Sequence, residues 1–143
     1  MTGTIRHAGT DAEIAACFPV MRELRPNLTS PDELVTRVHR QAKAGYRILA
    51  AWHDSEVTGL AGYRPQENLI RGPFCYVDDL VVREDMRGNG LGARLLTEVG
   101  DEARARGLPH LVLDTDLSNA LGQRFYFRFG MLPAALRFAM RLT

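Results

Sequence analysis

The chain has 143 residues, 45% apolar and 24% charged, with a formal net charge of +1. These values describe one ordinary globular domain, 1–143, long enough to bury a core; they exclude a disordered chain and a basic nucleic-acid binder. No apolar run approaches the ~20 residues of a membrane span, the N-terminal MTGTIRHAGTDAEIA lacks the apolar stretch of a signal peptide, and Cys17 and Cys75 lack metal-ligand spacing. The default expectation is a cytoplasmic protein with two buried free thiols, no metal, and no membrane or nucleic-acid partner.

In chain order, Thr4–Ala8 reads as a short strand. Asp11 then caps a helix carrying Ile14, Ala15, Phe18 and Met21, which Pro26 interrupts. In LTSPDEL, Ser30 is a helix cap, Pro31 suits the first helical position, and Leu34, Val35, Val38 and Ala42 share one face up to Gly45. YRILAAWH and EVTGLAGYR flank Asp54-Ser55 as a hairpin. PQENLIRGP is a looser stretch leading to FCYVDDLVV, a central strand by its aromatic and branched residues. Leu91, Leu95, Val99 and Ala103 recur every four residues on an amphipathic helix ending near Gly107. LVLDT is a short buried strand, Asn119–Phe129 a helix stopped by Gly130, and the weakly alternating tail LRFAMRL an added edge strand. The order is that of a mixed α/β fold with helices on both faces of one sheet.

The segment RGNGLG, Arg87–Gly92, sits between the strand VDDLVV and that amphipathic helix. A glycine-rich turn lets several backbone N–H groups converge, and the first helical turn adds more, with partial positive charge: the requirements of a phosphate cradle. No Lys-Ser or Lys-Thr pair completes a nucleotide-triphosphate loop. GNGLG is also one residue short of the dinucleotide fingerprint.

Two segments resemble the GNAT family of N-acetyltransferases. In VVREDMRGNGLGARLL, Arg87, Gly90 and Gly92 fill the family's coenzyme A signature, with Glu84 where a proline is common. In LSNALGQRFYFRFGML, Asn119, Gly122, the pair Phe125-Tyr126 and Gly130 match its last helix, with Met131 replacing the commoner phenylalanine. The resemblance implies a mostly antiparallel mixed sheet, splayed between strands four and five and flanked by helices. It also implies acetyl transfer from acetyl-coenzyme A, as donor substrate, to a primary amine by direct attack in a ternary complex.

On that resemblance, Leu80, Val81 and Val82 supply main-chain contacts to the pantetheine arm. Arg87, Gly88, Asn89, Gly90, Leu91 and Gly92 hold the pyrophosphate, Asn119 hydrogen-bonds the arm, and Tyr126 protonates the departing thiolate. Asp79, with Asp78 as the alternative, is the acidic group near the attacking amine. Strand alternation sends these two to opposite faces. His39, on the second helix, is a weaker candidate, while Trp52 and Tyr46 read as core or rim residues. The acceptor, a small-molecule or a protein amine, is left open by the mixed charge of the first two helices and PQENLIRGP. A homodimer through the C-terminal strand, and a catalytically inactive coenzyme A sensor on the same fold, are the further readings.

Overall fold

The computed structural model describes residues 3–143. They divide into two compact units, one running to Val112 and the other Leu113–Thr143. The first contains β1 (Thr4–His7), α1 (Asp11–Ala16), α2 (Phe18–Leu24), α3 (Pro31–Ala42), β2 (Arg47–His53), β3 (Glu56–Asn68), β4 (Gly72–Val82) and α4 (Leu91–Ala105). β5 (Leu111–Leu113) spans the boundary, and α5 (Ala120–Phe129) lies in the second unit. The sheet order is β1-β2-β3-β4-β5, antiparallel except for the parallel pair β4-β5. β5 offers three residues to the eleven of β4, so the pairing between these two strands is brief.

The sheet is covered on both faces. Ile14, Val20, Met21, Leu34 and Val38 of α1–α3 form one core with Ile48, Ala50, Trp52, Leu60 and Val81. On the other side α4 packs on β2, β3 and β4 with Leu91, Leu95, Leu96, Val99 and Ala103 buried. Each large aliphatic residue removed from water contributes roughly 1.5–3 kcal/mol. Double coverage explains why Val57–Tyr63 is buried throughout instead of alternating. Gly59 is part of this fit: a Cβ there would stand 3.2 Å from Leu91 and from Leu95.

Several boundaries differ from the sequence reading. The first helix is capped by Thr10, not Asp11: Thr10 and Glu13 form a reciprocal capping box. It then breaks at Cys17 into α1 and α2, because Pro19 has no N–H to continue the hydrogen-bond ladder and instead occupies the first turn of a new helix. PQENLIRGP is no loose stretch. β3 runs to Asn68 and β4 starts at Gly72, and the Asn68 side chain accepts from the Ile70 and Arg71 N–H groups to close the turn. Pro65 is tolerated because β2 pairing ends at Arg47↔Tyr63, so no neighbour on that side needs its N–H. The tail Leu136–Leu142 forms no strand; Leu136, Phe138, Met140 and Leu142 are exposed. Its weak alternation, just past Pro133, has no recorded ladder, so the edge-strand route to a dimer lacks its element. Among the described residues no helix is long and apolar enough to cross a membrane.

Both cysteines are buried and free. Burial pushes the Cys17 thiol up to about 12 and the Cys75 thiol up to about 11.

A polar cluster ties the edge strand β1 to α4. Tyr63 Oη donates to Glu102 Oε2 at 2.5 Å, His7 Nε2 lies 2.7 Å from Tyr63 Oη and 3.0 Å from Glu102 Oε2, and Arg47 Nη1 is 3.5 Å from Glu102 Oε1. Burial, then Arg47, hold the His7 imidazole below its ordinary 6.5 against the pull of Glu102. Burial works to raise Glu102, but the Tyr63 hydrogen bond and the charges of His7 and Arg47 outweigh it and lower the carboxyl. A histidine depressed on folding contributes stability above its unfolded pKa that is lost as pH falls, and a depressed carboxylate acts in the same direction. The thermal midpoint should therefore fall on going from about pH 7 to about pH 5, and His7→Gln should flatten that slope. A thermal melt series across this range checks it.

Candidate functional site

Strand alternation fails at Asp78. β4 pairs with β3 as Val77↔Tyr63 and Asp79↔Gly62, so two β4 steps match one β3 step and Asp78 is unpaired. This is a β-bulge, which re-aims side chains. Asp78 and Asp79 consequently line one cleft instead of facing opposite sides. The cleft has a volume of about 660 Å³ and is bounded by α2, α3, the turn between them, β3 and β4.

Each carboxylate has a different environment. Asp79 has a partner on each oxygen: Oδ1 accepts from Arg25 Nε at 2.9 Å and Oδ2 from the Tyr46 hydroxyl at 2.6 Å. Tyr46 is buried, and burial followed by the adjacent Asp79 charge raises its phenol well above the ordinary value. Asp78 Oδ1 accepts from Arg64 Nη2 at 2.8 Å, but Oδ2 is buried with no hydrogen-bond partner among the described residues, as is Arg64 Nε. Burial raises the Asp78 carboxyl above its ordinary 3.8, against the opposing Arg64 charge. Arg25 Nη2 donates to the Asp78 carbonyl at 2.7 Å, so one guanidinium just past the end of α2 braces both the bulged backbone and its neighbour's carboxylate. Asp78 thus retains an acceptor oxygen with proton affinity above that of an ordinary aspartate, the property of a general base.

The glycine segment opens α4 as its composition requires. Gly88 has φ +86° and Gly90 φ +77°, the left-handed region that glycine enters at no steric cost. Gly90 is the N-cap and offers no side-chain acceptor, and the first turn of α4 carries no acid. The space a Cβ would fill at Gly88 and at Gly90 is open. An uncapped helix start facing open space fits a phosphate. Arg87 braces the approach: its Nε donates to the Val82 carbonyl at 3.0 Å and its Nη2 pairs with Glu23 at 3.1 Å. Leu80 and Val82 are half-buried and Val81 buried in the last turns of β4.

In the second unit, Asn119 caps α5: its Oδ1 accepts from Gly122 N at 2.9 Å and its Nδ2 lies 3.3 Å from Thr115 Oγ1. A Cβ at position 122 would stand 2.4 Å from Asn119 Nδ2, which accounts for the glycine there. Tyr126 packs edge-on against Phe125, and burial raises its phenol.

The model of the acetyltransferase (GNAT) family matches residues 13–131. The chain belongs to this family. It is an N-acetyltransferase by its relatives' names as well. It is 33% identical over 142 residues to an L-methionine sulfoximine/L-methionine sulfone acetyltransferase of Pseudomonas paraeruginosa, covering 91% of this chain and 80% of the relative. It is 32% identical over 98 residues to an aminoalkylphosphonate N-acetyltransferase of Salmonella typhimurium, covering 68% and 62%. The solved structure of an aminoglycoside N-acetyltransferase in complex with coenzyme A superposes with a TM-score of 0.84 at 16% identity, covering 98% of this chain and 95% of that one; at that identity the likeness is one of fold.

Set in the GNAT fold, the aspartates named from sequence share one cleft, and the glycine segment forms the start of α4. His39 is elsewhere: its Nε2 is 2.6 Å from Asp11 Oδ1, and it does not line the cleft. Arg64 went unrecognised as a site residue, Tyr46 read as core or rim, and Arg25 counted only among the mixed charges of the first two helices. Only Gly62 offered a local signal, since a Cβ there would lie 1.9 Å from Tyr46 Oη and 2.8 Å from Asp79 Oδ2. Gly62→Ala should displace the Tyr46 hydroxyl from Asp79, destabilise the fold by about 1–3 kcal/mol and lower turnover; denaturant unfolding and an acetyl-transfer assay read the two effects. Gly90→Val, strained at φ +77°, should abolish binding of acetyl-coenzyme A in calorimetry while the protein remains folded by circular dichroism.

Proposed function

We propose that this N-acetyltransferase transfers the acetyl group of acetyl-coenzyme A directly to the primary amine of a small molecule within a ternary complex, with Asp78 as proton acceptor. The observation that carries the reading is the bulge, which brings two carboxylates to one cleft and leaves one oxygen of Asp78 without a partner. Asp79, with a hydrogen bond on each oxygen, positions the Tyr46 and Arg25 side chains around it. The names of the two relatives, acting on an amino-acid analogue and on aminoalkylphosphonates, support a small-molecule acceptor over a protein one. A catalytically silent coenzyme A sensor draws no support from those relatives.

The roles follow from the chemistry. Backbone N–H groups from Arg87 to Gly92 at the start of α4 hold the donor's pyrophosphate, and Leu80, Val81 and Val82 its pantetheine arm. Asp78 takes the proton that leaves the ammonium, directly or through one water. The neutral nitrogen attacks the thioester carbonyl; the C–N bond forms, the C–S bond breaks, the thiolate leaves, and the nitrogen sheds its second proton to water. By the register of its motif, Tyr126 gives its phenolic proton to that thiolate and recovers one from water. A phenol is a weaker acid than a thiol, so this transfer requires close approach in a low-dielectric site. On the family resemblance, Asn119, whose side chain caps the first turn of α5, hydrogen-bonds the pantetheine arm.

Asp78→Asn should lower kcat by about 10²–10⁴ and Tyr126→Phe by about 10², each with acetyl-coenzyme A affinity unchanged. Steady-state kinetics beside calorimetry separate chemistry from binding; an Asp78→Asn variant with wild-type kcat would remove Asp78 from the reaction.

A further inference from the structure

The acceptor cleft is lined by three arginines, Arg25, Arg37 and Arg64, and two aspartates, Asp78 and Asp79. Four of these groups pair within it: Arg25 with Asp79, and Arg64 with Asp78. Arg37 is the remainder. Among the described residues its one ion pair is with Glu33, one turn back on α3, at 3.9 Å, the outer limit of such a contact. Glu33 Oε1 already accepts from the Thr29 N–H at 2.7 Å and the Thr29 hydroxyl at 3.1 Å, and Glu33 does not line the cleft. The Arg37 side chain is 46% exposed, and the residue stands on α3 between this cleft and a shallower surface pocket that Glu33 and Arg40 also border. Gln41, four residues on and on the same helical face, also lines the cleft and adds a neutral amide donor.

A guanidinium fork with unused donors suits an oxyanion, which it binds through two parallel hydrogen bonds. It repels a second ammonium, so a polyamine is a poor occupant. We infer that the acceptor carries an acid group as well as its amine, a carboxylate or phosphonate, and that Arg37 binds that acid while the amine lies at Asp78. This deepens the acetyl-transfer reading above and rests on it for the place of the amine. Holding both ends of a short zwitterion fixes the nitrogen at its base, the source of rate in an oriented complex.

The test uses matched amines on the intact protein: L-methionine and 2-aminoethylphosphonate against L-methioninamide and n-butylamine. Acetyl transfer is followed by released thiol, and binding by calorimetry on protein saturated with coenzyme A. At least one acid-bearing amine should exceed its neutral counterpart in kcat/KM by about tenfold or more, the value of one hydrogen bond to a charged group. Arg37→Gln should erase that preference chiefly through KM, leave acetyl-coenzyme A affinity unchanged, and be partly rescued by Arg37→Lys. Equal or better use of the neutral amines, or an Arg37→Gln loss shared equally by both classes, overturns the inference while leaving the acetyl-transfer reading intact. Arg37-dependent binding of an acid-bearing amine without turnover supports the anion site and counts instead against that reading. Absence of both binding and turnover for acid-bearing amines overturns the inference.

Discussion

Asp78 is left out of the register that pairs β4 with β3, and the arrangement of the cleft descends from that bulged residue. A regular strand would place its carboxylate and that of Asp79 on opposite sides of the sheet. The bulge rotates the chain by one position, so both acids face the same helices. Two like charges in one half-buried space are costly unless they are compensated. Compensation comes from three elements: Arg25 just past the end of α2, Arg64 on β3, and Tyr46 before β2. The result is asymmetric. One aspartate has a hydrogen bond on each oxygen and the other on one alone among the described residues, the difference on which the proposed division into a positioning group and a base rests.

Helix placement depends on the same compensation. The Arg25 guanidinium bonds both the Asp79 carboxylate and the Asp78 carbonyl, so α2 is fixed against β4 by the groups that shape the cleft. Gly62 completes the set, because the Tyr46 hydroxyl occupies the space where a side chain would stand. The donor end is built by different means. There the α4 start is left uncapped and without acids, and backbone conformation, instead of side-chain charge, makes the cradle.

This division explains what could be read in the sequence. RGNGLG was legible because left-handed backbone at Gly88 and Gly90 is a local requirement that few residues other than glycine meet. The amphipathic period of α4 was legible because α4 buries one face against the sheet. The bulge was not: it is a mismatch between two strands, and FCYVDDLVV alone gives no register against EVTGLAGYR. Tyr46 read as a core residue, and it is buried; its hydroxyl becomes part of the site only when β3 and β4 bring Asp79 to it. The split at Pro19 was overlooked because the apolar spacing of Ile14, Phe18 and Met21 continues across it. In the tail, alternation without a pairing partner was insufficient to make a strand.

The two cysteines bear on a chemistry that handles thioesters. A reactive thiolate in such a protein would accept the acyl group itself, by exchange with the donor, and would form mixed disulfides with the coenzyme thiol released at each turnover. Cys17 and Cys75 are both buried, with their thiols raised to about 12 and about 11, so at neutral pH neither presents an accessible nucleophile. The fold thereby insulates its own sulfur from its donor: the acyl group has the waiting nitrogen as its outlet, and the thiol that accumulates in solution is that of the spent coenzyme.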